Sequence, residues 1–303
     1  MKKYTVTVAV SVFNEEANIL NFMKSVIKQQ EEYYFSFKKF LIISDGSTDK
    51  TVTLAKKIKN RKIEIIDYKI RTGKSSRLNE IYSKLNTDFL VQTDADVVFK
   101  DEYVIKNMIL PLILDKKTGM CTGNPLPLPG KTFTEKADVA MLNVYWPILK
   151  NHSGGNNVFS ADGRILSYKK ELVKNIIVPE DMIANDFYTY FYCIHKGYKC
   201  KFIKKAVVNF RASQNIKDKV KQNLRSAAIP LRMLRYFPNE LVHEQMRIPL
   251  WVRMECILSQ FSRNPIYSVY IYFINKYCEI KARSAERHLN AKWEIALTSK
   301  KLN

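Results

Sequence analysis

The chain of 303 residues predicts an α/β fold: a mostly parallel central sheet with helices on both faces, plus a C-terminal helical region. Three observations carry this. Apolar runs recur at residues 6–13, 40–43, 63–66 and 89–99, more continuous than a sheet wetted on one face allows. Stretches with helical apolar spacing lie between them. From residue 216 onward the short runs give way to helical periodicity interleaved with Lys and Arg. The division predicted is 1–215 for the α/β part and 216–303 for the helical part.

Taken in order, Val6-Thr-Val-Ala-Val-Ser-Val-Phe13 is the first strand. Ile19, Leu20, Phe22, Met23, Val26 and Ile27 follow at helical spacing, with Asn14 expected as N-cap and Glu15 and Glu16 at the positive end of the helix dipole. Strand two, residues 40–43, runs into Ser44-Asp-Gly-Ser-Thr-Asp49, where Thr48 or Asp49 is expected to cap a helix over 51–59. Asp45 stands at a strand's carboxyl end, where open α/β sheets bind ligands. After strand three (63–66), Arg71-Thr-Gly-Lys74 opens a helix through Leu78, Ile81 and Leu85. A Gly-Lys pair at a helix start suits phosphate, although GxxxxGK[ST] is absent.

Residues 89–99 read as one buried strand holding Asp94 and Asp96. Side chains two apart on a strand point the same way, so the two carboxylates are expected to share a target. Paired carboxylates repel unless a cation lies between them, and a hard divalent ion completes its shell with substrate phosphates. Residues 120–130 read as a strand ending in a Pro-rich turn, and 138–149 as a helix. His152-Ser-Gly-Gly-Asn-Asn157 reads as a mobile loop, and Glu180 and Asp181 as caps for a coming helix.

Composition narrows the class. Hydrophobic residues make up 46% and aromatics 12%, which indicates a packed globular chain. The formal charge is +21, and roughly two-thirds of it lies beyond Tyr198, which suits an anionic surface or an acidic substrate. Five cysteines without a CxxC pair indicate neither a disulfide framework nor a zinc site. The N-terminus alternates like a strand and lacks the apolar core of a secretory signal. No apolar run reaches the ~20 residues of a membrane-spanning helix. The expected location is cytoplasmic, with the inner face of the cell membrane as a docking surface for the basic helices.

Val10-Ser-Val-Phe-Asn-Glu-Glu16, Ser44-Asp-Gly-Ser-Thr-Asp-Lys-Thr51, Gly73-Lys74 with Leu78-Asn79, and Asp94-Ala-Asp96 occur in this order. Gly163-Arg-Ile-Leu-Ser-Tyr-Lys-Lys-Glu-Leu172, Ala184-Asn-Asp186 and Gly197-Tyr-Lys199 follow. Together they resemble the inverting nucleotide-sugar glycosyltransferases of family two, from about Lys3 to Arg225. The resemblance implies a GT-A fold, a Rossmann-like version of the sheet read above. It implies transfer of a sugar from a nucleoside diphosphate, by family habit UDP, to a hydroxyl acceptor, with Mn²⁺ or Mg²⁺ as cofactor.

Carried over residue by residue, the resemblance places Asn14, Glu15 and Asp45 at the nucleoside, with Ser11 beside them where the family usually has Pro. Arg71 and Lys74 match its basic segment at the base and diphosphate, Asp94 the carboxylate near the nucleotide, and Asp96 the metal ligand. Asp186 matches the catalytic base, with Asn185 in place of the usual Glu. Gln222 and Arg225 match part of a motif of processive polysaccharide synthases, but Ser226 replaces its Trp, which argues against polymer synthesis.

The acceptor side is left with alternatives. Asn124 is a turn residue or a sugar contact, and Trp146 a packing residue or a platform for a sugar ring. Asp162 is a turn residue or a second carboxylate on the acceptor side. Gln222 and Arg225, three apart on one helix face, grip the diphosphate or acceptor or merely face solvent. The basic C-terminal helices either pack on the catalytic part or form a platform on an anionic membrane, which would suit a lipid-linked acceptor. Two other classes compete. A sugar-phosphate nucleotidyltransferase needs a Gly-rich phosphate loop after strand one, and Val12-Phe-Asn-Glu15 is not one. A non-catalytic basic membrane-binding module has no need of Asp45, Asp94, Asp96 and Asp186 near strand ends. Nucleic acid is not an expected partner.

Overall fold

The computed structural model describes residues 3–289. Residues 1–2 and 290–303, the start of the N-terminal alternation and the end of the predicted helical region, lie outside the described residues. Eight strands form one sheet: β1 Tyr4–Val12, β2 Phe35–Asp45, β3 Ile63–Tyr68, β4 Phe89–Thr93, β5 Val97–Phe99, β6 Thr118–Pro127, β7 Ile165–Lys169 and β8 Lys199–Phe210. Their order across the sheet is β3-β2-β1-β4-β7-β6-β8-β5. β3, β2, β1 and β4 run parallel, as do β6 and β8. β7 enters antiparallel between β4 and β6, and β5 antiparallel on β8.

The period-two alternation of β1 decides its packing. Val6, Val8, Val10 and Val12 face one core with Phe40, Ile42, Phe89 and Val91, under α1 (Ile19–Ile27) and α4 (Val104–Leu114). Ala9, Leu41, Ile43 and Leu90 face the other core. That second core lies under α3 (Lys74–Lys84) and α7 (Asn185–His195). With both faces covered, the central strands are buried nearly throughout, and a polar residue there such as Thr7 is itself buried and accepts from Thr87 Oγ1 at 2.9 Å.

Several local expectations change. The expected single strand over 89–99 is two strands, and Asp94-Ala95-Asp96 is the bend between them. β4 stays in the sheet centre while β5 crosses to the far edge, so the backbone must turn where the carboxylates lie. α1 has Asn18, not Asn14, at its cap position. Asn14 is left-handed (φ 53°) and cross-links loops instead. α2 covers only Thr51–Ala55, although Asp49 Oδ1 does accept from Thr51 N at 2.9 Å. Asp181 caps nothing; it pairs with Arg232 at 3.3 Å. In the loop from His152 to Asn157, Ser153 and Gly154 are left-handed (φ 54° and 67°), and Asn157 Nδ2 donates to the carbonyls of Leu149, Lys150 and His152.

The helix read over 138–149 extends over Phe133–Asn151 (α5). After β7 comes the short α6 (Lys170–Val173), and after β8 come α8 (Ile216–Met233), α9 (Asn239–Met246), α10 (Leu250–Arg263) and α11 (Pro265–Glu286). Buried ion pairs join these helices to what precedes them. Lys219 Nζ on α8 meets Asp138 Oδ1 on α5 at 2.5 Å, and Arg211 Nε after β8 meets Glu135 Oε1 at 3.0 Å. Arg232 Nε on α8 meets Glu286 Oε1 on α11 at 2.6 Å. In the first two pairs each charge is desolvated, so removal of Asp138 or Glu135 strands the cation opposite at several kcal/mol, about 3–5 by comparison with broken buried pairs generally, whereas Glu286 keeps a second partner in Arg235 at 2.6 Å.

Candidate active site

The carboxyl ends of β1, β2 and β4 carry the charged loops. Asn14 Oδ1 accepts from Thr48 N at 2.8 Å, and Glu15 N donates to Thr51 Oγ1 at 2.7 Å, tying the loop after β1 to the loop after β2. Asp45 was expected at the nucleoside, yet its carboxylate is buried and turned inward. It accepts from Thr72 N (2.9 Å), Gly73 N (2.8 Å) and Arg77 Nε (2.8 Å). These donors hold its pKa below the usual aspartate value against the opposing push of burial. What Asp45 fixes is the entry to α3. Gly46 allows the same approach, since a Cβ there would stand 2.8 Å from Arg71 N and its φ is +75°. Arg71 lies over the Phe13 ring at 4.1 Å. Ser11 stays in β1, opposite Ile43.

Lys74, the first residue of α3, reaches Asp94 Oδ1 at 2.5 Å. Burial opposes its charge, but Asp94, with Asp186 and Asp96, raises its pKa above the ordinary lysine value. Thr93 Oγ1 donates to Arg164 O at 2.8 Å, clamping the end of β4 to the start of β7 and bringing Gly163 against the bend. Gly163 N donates to Asp186 Oδ2 at 3.1 Å. A Cβ built on Gly163 would stand 3.7 Å from Asp94 Oδ2, 3.7 Å from Lys74 Nζ and 3.8 Å from Asp186 Oδ2. Three charged groups, from the bend after β4, from α3 and from α7, thus converge on one glycine.

Asp186 lies in the first turn of α7, where Oδ1 accepts from Phe187 N at 3.0 Å. Burial, then the nearby Asp162, raises its pKa above 3.8, the ordinary aspartate value. Asp162 has the opposite fate. Burial pushes it up, but Arg164 and Lys150 pull it below that value. Arg164 Nη1 grips both Asp162 oxygens at 3.1 and 3.0 Å, and its guanidinium lies 3.7 Å from the centroid of the Phe210 ring. Two neighbouring carboxylates with pKa values driven apart are the arrangement in which one stays anionic and the other trades protons.

A cavity of about 790 Å³ extends from Asp162, Arg164, Asp186 and Arg225 to α5, α8, α10 and α11. Asn124, Trp146, Asp162, Gln222 and Arg225, the residues assigned to the acceptor side, all line it. Asp45, Lys74, Asp94 and Asp96 do not. Burial pushes the Arg225 guanidinium down, and Asp186 pulls it up. Asn185, beside Asp186, turns away from the cavity to accept from Ser75 Oγ at 3.1 Å.

The sequence reading missed two residues. Arg164 lay inside a quoted motif but had no role; a lone Arg after Gly gives no signal until β7 is clamped to β4. Lys150, on α5, is buried against the cavity with its Nζ 5.9 Å from the Trp146 ring centroid. Among the described residues no carboxylate lies in ion-pair range of it, and burial pushes its pKa down.

Among the described residues no group of three or more His, Cys, Asp or Glu side chains is placed to hold a metal ion. Asp94 and Asp96 supply two hard oxygen donors at one bend, beside basic groups that suit a diphosphate. That donor set fits a divalent cation whose remaining ligands come from substrate.

The sheet order and the acidic bend at its centre define a GT-A transferase fold. The chain matches the family model Glycosyl transferase family 2 over residues 7–177, and it belongs to that family. It is similar to poly-beta-1,6-N-acetyl-D-glucosamine synthase of Staphylococcus aureus strain COL, 26% identical over 203 residues, or 65% of this chain and 47% of the synthase. The Staphylococcus epidermidis synthase is 24% identical over 218 residues, 71% of this chain and 52% of that one. The chain thus spans about half the length of these relatives.

Among solved structures, mannosyltransferase PcManGT from Pyrobaculum calidifontis, in complex with GDP-Man and Mn²⁺, aligns at TM-score 0.60 and 15% identity, covering 100% of this chain and 88% of that one. Glucosyl-3-phosphoglycerate synthase from Mycobacterium tuberculosis, with phosphoglyceric acid, aligns at TM-score 0.55 and 15% identity over 81% of each chain. S. aureus TarS aligns at TM-score 0.55 and 14% identity, covering 95% and 92%. These likenesses concern the fold.

Proposed function

We propose that the protein transfers a sugar from a nucleoside diphosphate, UDP by preference, to a hydroxyl acceptor with inversion at the anomeric carbon, in the synthesis of a cell-surface glycan or glycolipid. It works in the cytoplasm, at the inner face of the cell membrane. The observation that carries the reading is the convergence of Lys74, Asp94 and Asp186 on Gly163, with the cavity opening beyond Asp186.

In this reading the loops after β1 and β2, with Arg71, hold the nucleoside. Asp45 acts by fixing the Thr72-Gly73 turn beneath it. Lys74 binds the diphosphate from the N-terminus of α3, where the helix dipole favours anions. Asp96, with Asp94, would hold a Mn²⁺ or Mg²⁺ ion. When bound, that ion supplies charge neutralisation at the leaving diphosphate. Asp186 accepts the acceptor hydroxyl's proton as the new bond forms, a task for which its raised pKa suits it. Asp162, kept anionic by Arg164, raises Asp186 further and faces the acceptor. Arg225 stands over the same carboxylates from α8. Displacement from the face opposite the diphosphate inverts the anomeric centre.

A hydrolysis screen of UDP-, GDP- and TDP-sugars with Mg²⁺ or Mn²⁺ tests the donor. Turnover of one nucleotide class that needs a divalent ion is expected. Calorimetry supplies the second arm: UDP binding is expected to strengthen with Mn²⁺ and to lose that gain in Asp96→Asn. UDP binding indifferent to Mn²⁺ sinks the metal role, and no binding of any nucleotide sinks the donor reading.

A further inference from the structure

α10 and α11 are amphipathic in the wrong sense for a surface helix. The inward face of α10 presents Val252, Cys256 and Gln260. Its outward face presents Leu250, Met254, Ile257, Leu258 and Phe261, at helical spacing, with Trp251 beside them. α11 repeats this: Ser268, Cys278, Ala282 and Glu286 are among its inward residues, while Ile266, Val269, Phe273, Tyr277 and Ile280 look outward. Leu258, Phe273 and Ile280 are 62, 67 and 72% exposed. Soluble monomers seldom leave so much contiguous apolar surface uncovered. No helix among the described residues is long and apolar enough to cross a membrane.

Charge limits what can cover this face. Over 250–287 the exposed charged residues are six basic (Arg253, Arg263, Lys276, Lys281, Arg283, Arg287) and two acidic (Glu255, Glu279). A second copy seated on this face would bring one basic rim against another. An anionic lipid surface matches both the basic rim and the apolar centre, with Trp and Tyr at the boundary. The cavity adds an independent observation. Ile257, Phe261 and Tyr272 line it and are also exposed on the two helices, so it opens onto the apolar face.

We infer that α10 and α11 lie in the surface of an anionic membrane, and that the cavity draws a lipid-anchored hydroxyl acceptor from there to Asp186. The inference rests on the transferase reading and names the acceptor class of the same site. The apolar tail stays at Ile257, Phe261 and Tyr272 while the polar head passes Trp146 toward the carboxylates.

Flotation of the full chain with vesicles tests the face, using phosphatidylcholine alone or mixed with phosphatidylglycerol at low salt. Binding to the mixed vesicles is expected, with at least about a tenfold loss in Leu258→Asp/Phe273→Asp. Leu114→Asp, on the exposed side of α4, is expected to bind as the parent does. UDP affinity should be equal in all three proteins. No flotation with UDP binding intact overturns the inference and spares the transferase reading; no UDP binding by the parent chain removes the reading beneath it. A dimer that the double substitution dissociates, without flotation, assigns the face to a second copy and overturns the inference.

Alkyl glucosides below their micelle concentrations probe the cavity. Affinity is expected to rise about fourfold per added CH₂ until the apolar mouth is filled. In Phe261→Asp this dependence should flatten. Binding that ignores chain length, or none, overturns the lipid acceptor.

Discussion

On one flank of Asp186 the loops after β1, β2 and β4 hold one another: Asn14 to Thr48, Asp45 to Thr72 and Gly73, Lys74 to Asp94. On the other flank a cavity of about 790 Å³ is walled by helices distant in sequence, two of them, α5 and α8, tied together by the Lys219–Asp138 pair. In the proposed reading the first flank serves the donor and the second the acceptor, and the donor flank is polar, local and preorganised. The acceptor flank is a space between packed elements whose shape follows from how the helices dock. Catalytic machinery that serves one kind of donor can be built the first way, while acceptor choice varies with the second.

The largest expected effect tests whether Asp186 joins the two flanks. Asp186→Asn should lower transfer by about a hundredfold to ten-thousandfold, the usual worth of a general base, with UDP affinity unchanged by calorimetry. Lost UDP affinity with retained turnover would move Asp186 to the donor flank.

Next is the wall of the cavity. Asp138→Asn leaves the Lys219 ammonium buried without its carboxylate and should cost about 3–5 kcal/mol in urea denaturation. An exposed donor-flank pair such as Lys69–Asp67, broken by Asp67→Asn, should cost no more than about 1 kcal/mol. Equal losses would erase the contrast.

The pH dependence sharpens it further. Asp186 must be ionised to accept a proton, so activity rises with pH through its pKa. Because burial and Asp162 raise that pKa, the acid limb of kcat/KM should lie above 3.8, the ordinary aspartate value. Asp162→Asn removes the smaller of these two causes. The limb should move toward lower pH, with burial still opposing ionisation. An unmoved limb would separate the two carboxylates.

The smallest effect concerns Lys150. Its ammonium is desolvated, with no carboxylate in ion-pair range among the described residues, so Lys150→Met should be neutral or stabilising by about 1 kcal/mol in the same denaturation assay. A clear loss of stability would mean that this cation is part of the frame of the cavity rather than a guest-facing group.

The first four strands were legible because each is a short apolar run bounded by turn residues. The donor motifs were legible because their partners follow within one βα unit. β5 was not: Val97–Phe99 reads as the tail of the strand before it, and only pairing with β8 carries it to the far edge. β7 and β8 were hidden because their residues serve a sheet whose other members lie far away in sequence. Asp45 was read at the nucleoside from its place at a strand end and from the family motif; its hydrogen bonds to the Thr72-Gly73 turn and to Arg77, 32 residues further on, were not legible.

Alternation and turn chemistry in the sequence determined the doubly covered sheet, the loops at its carboxyl rim, and the acids Asp94 and Asp96 at a strand end. Both are local, acting between residues a few positions apart. Tertiary structure alone decided that Gly163 brings Asp94 and Asp186 together, that Arg164 holds Asp162 ionised, and that the apolar stripes of α10 and α11 face outward around a cavity mouth. Those outcomes depend on which surfaces remain uncovered once every other element has packed, and no local pattern carries that information.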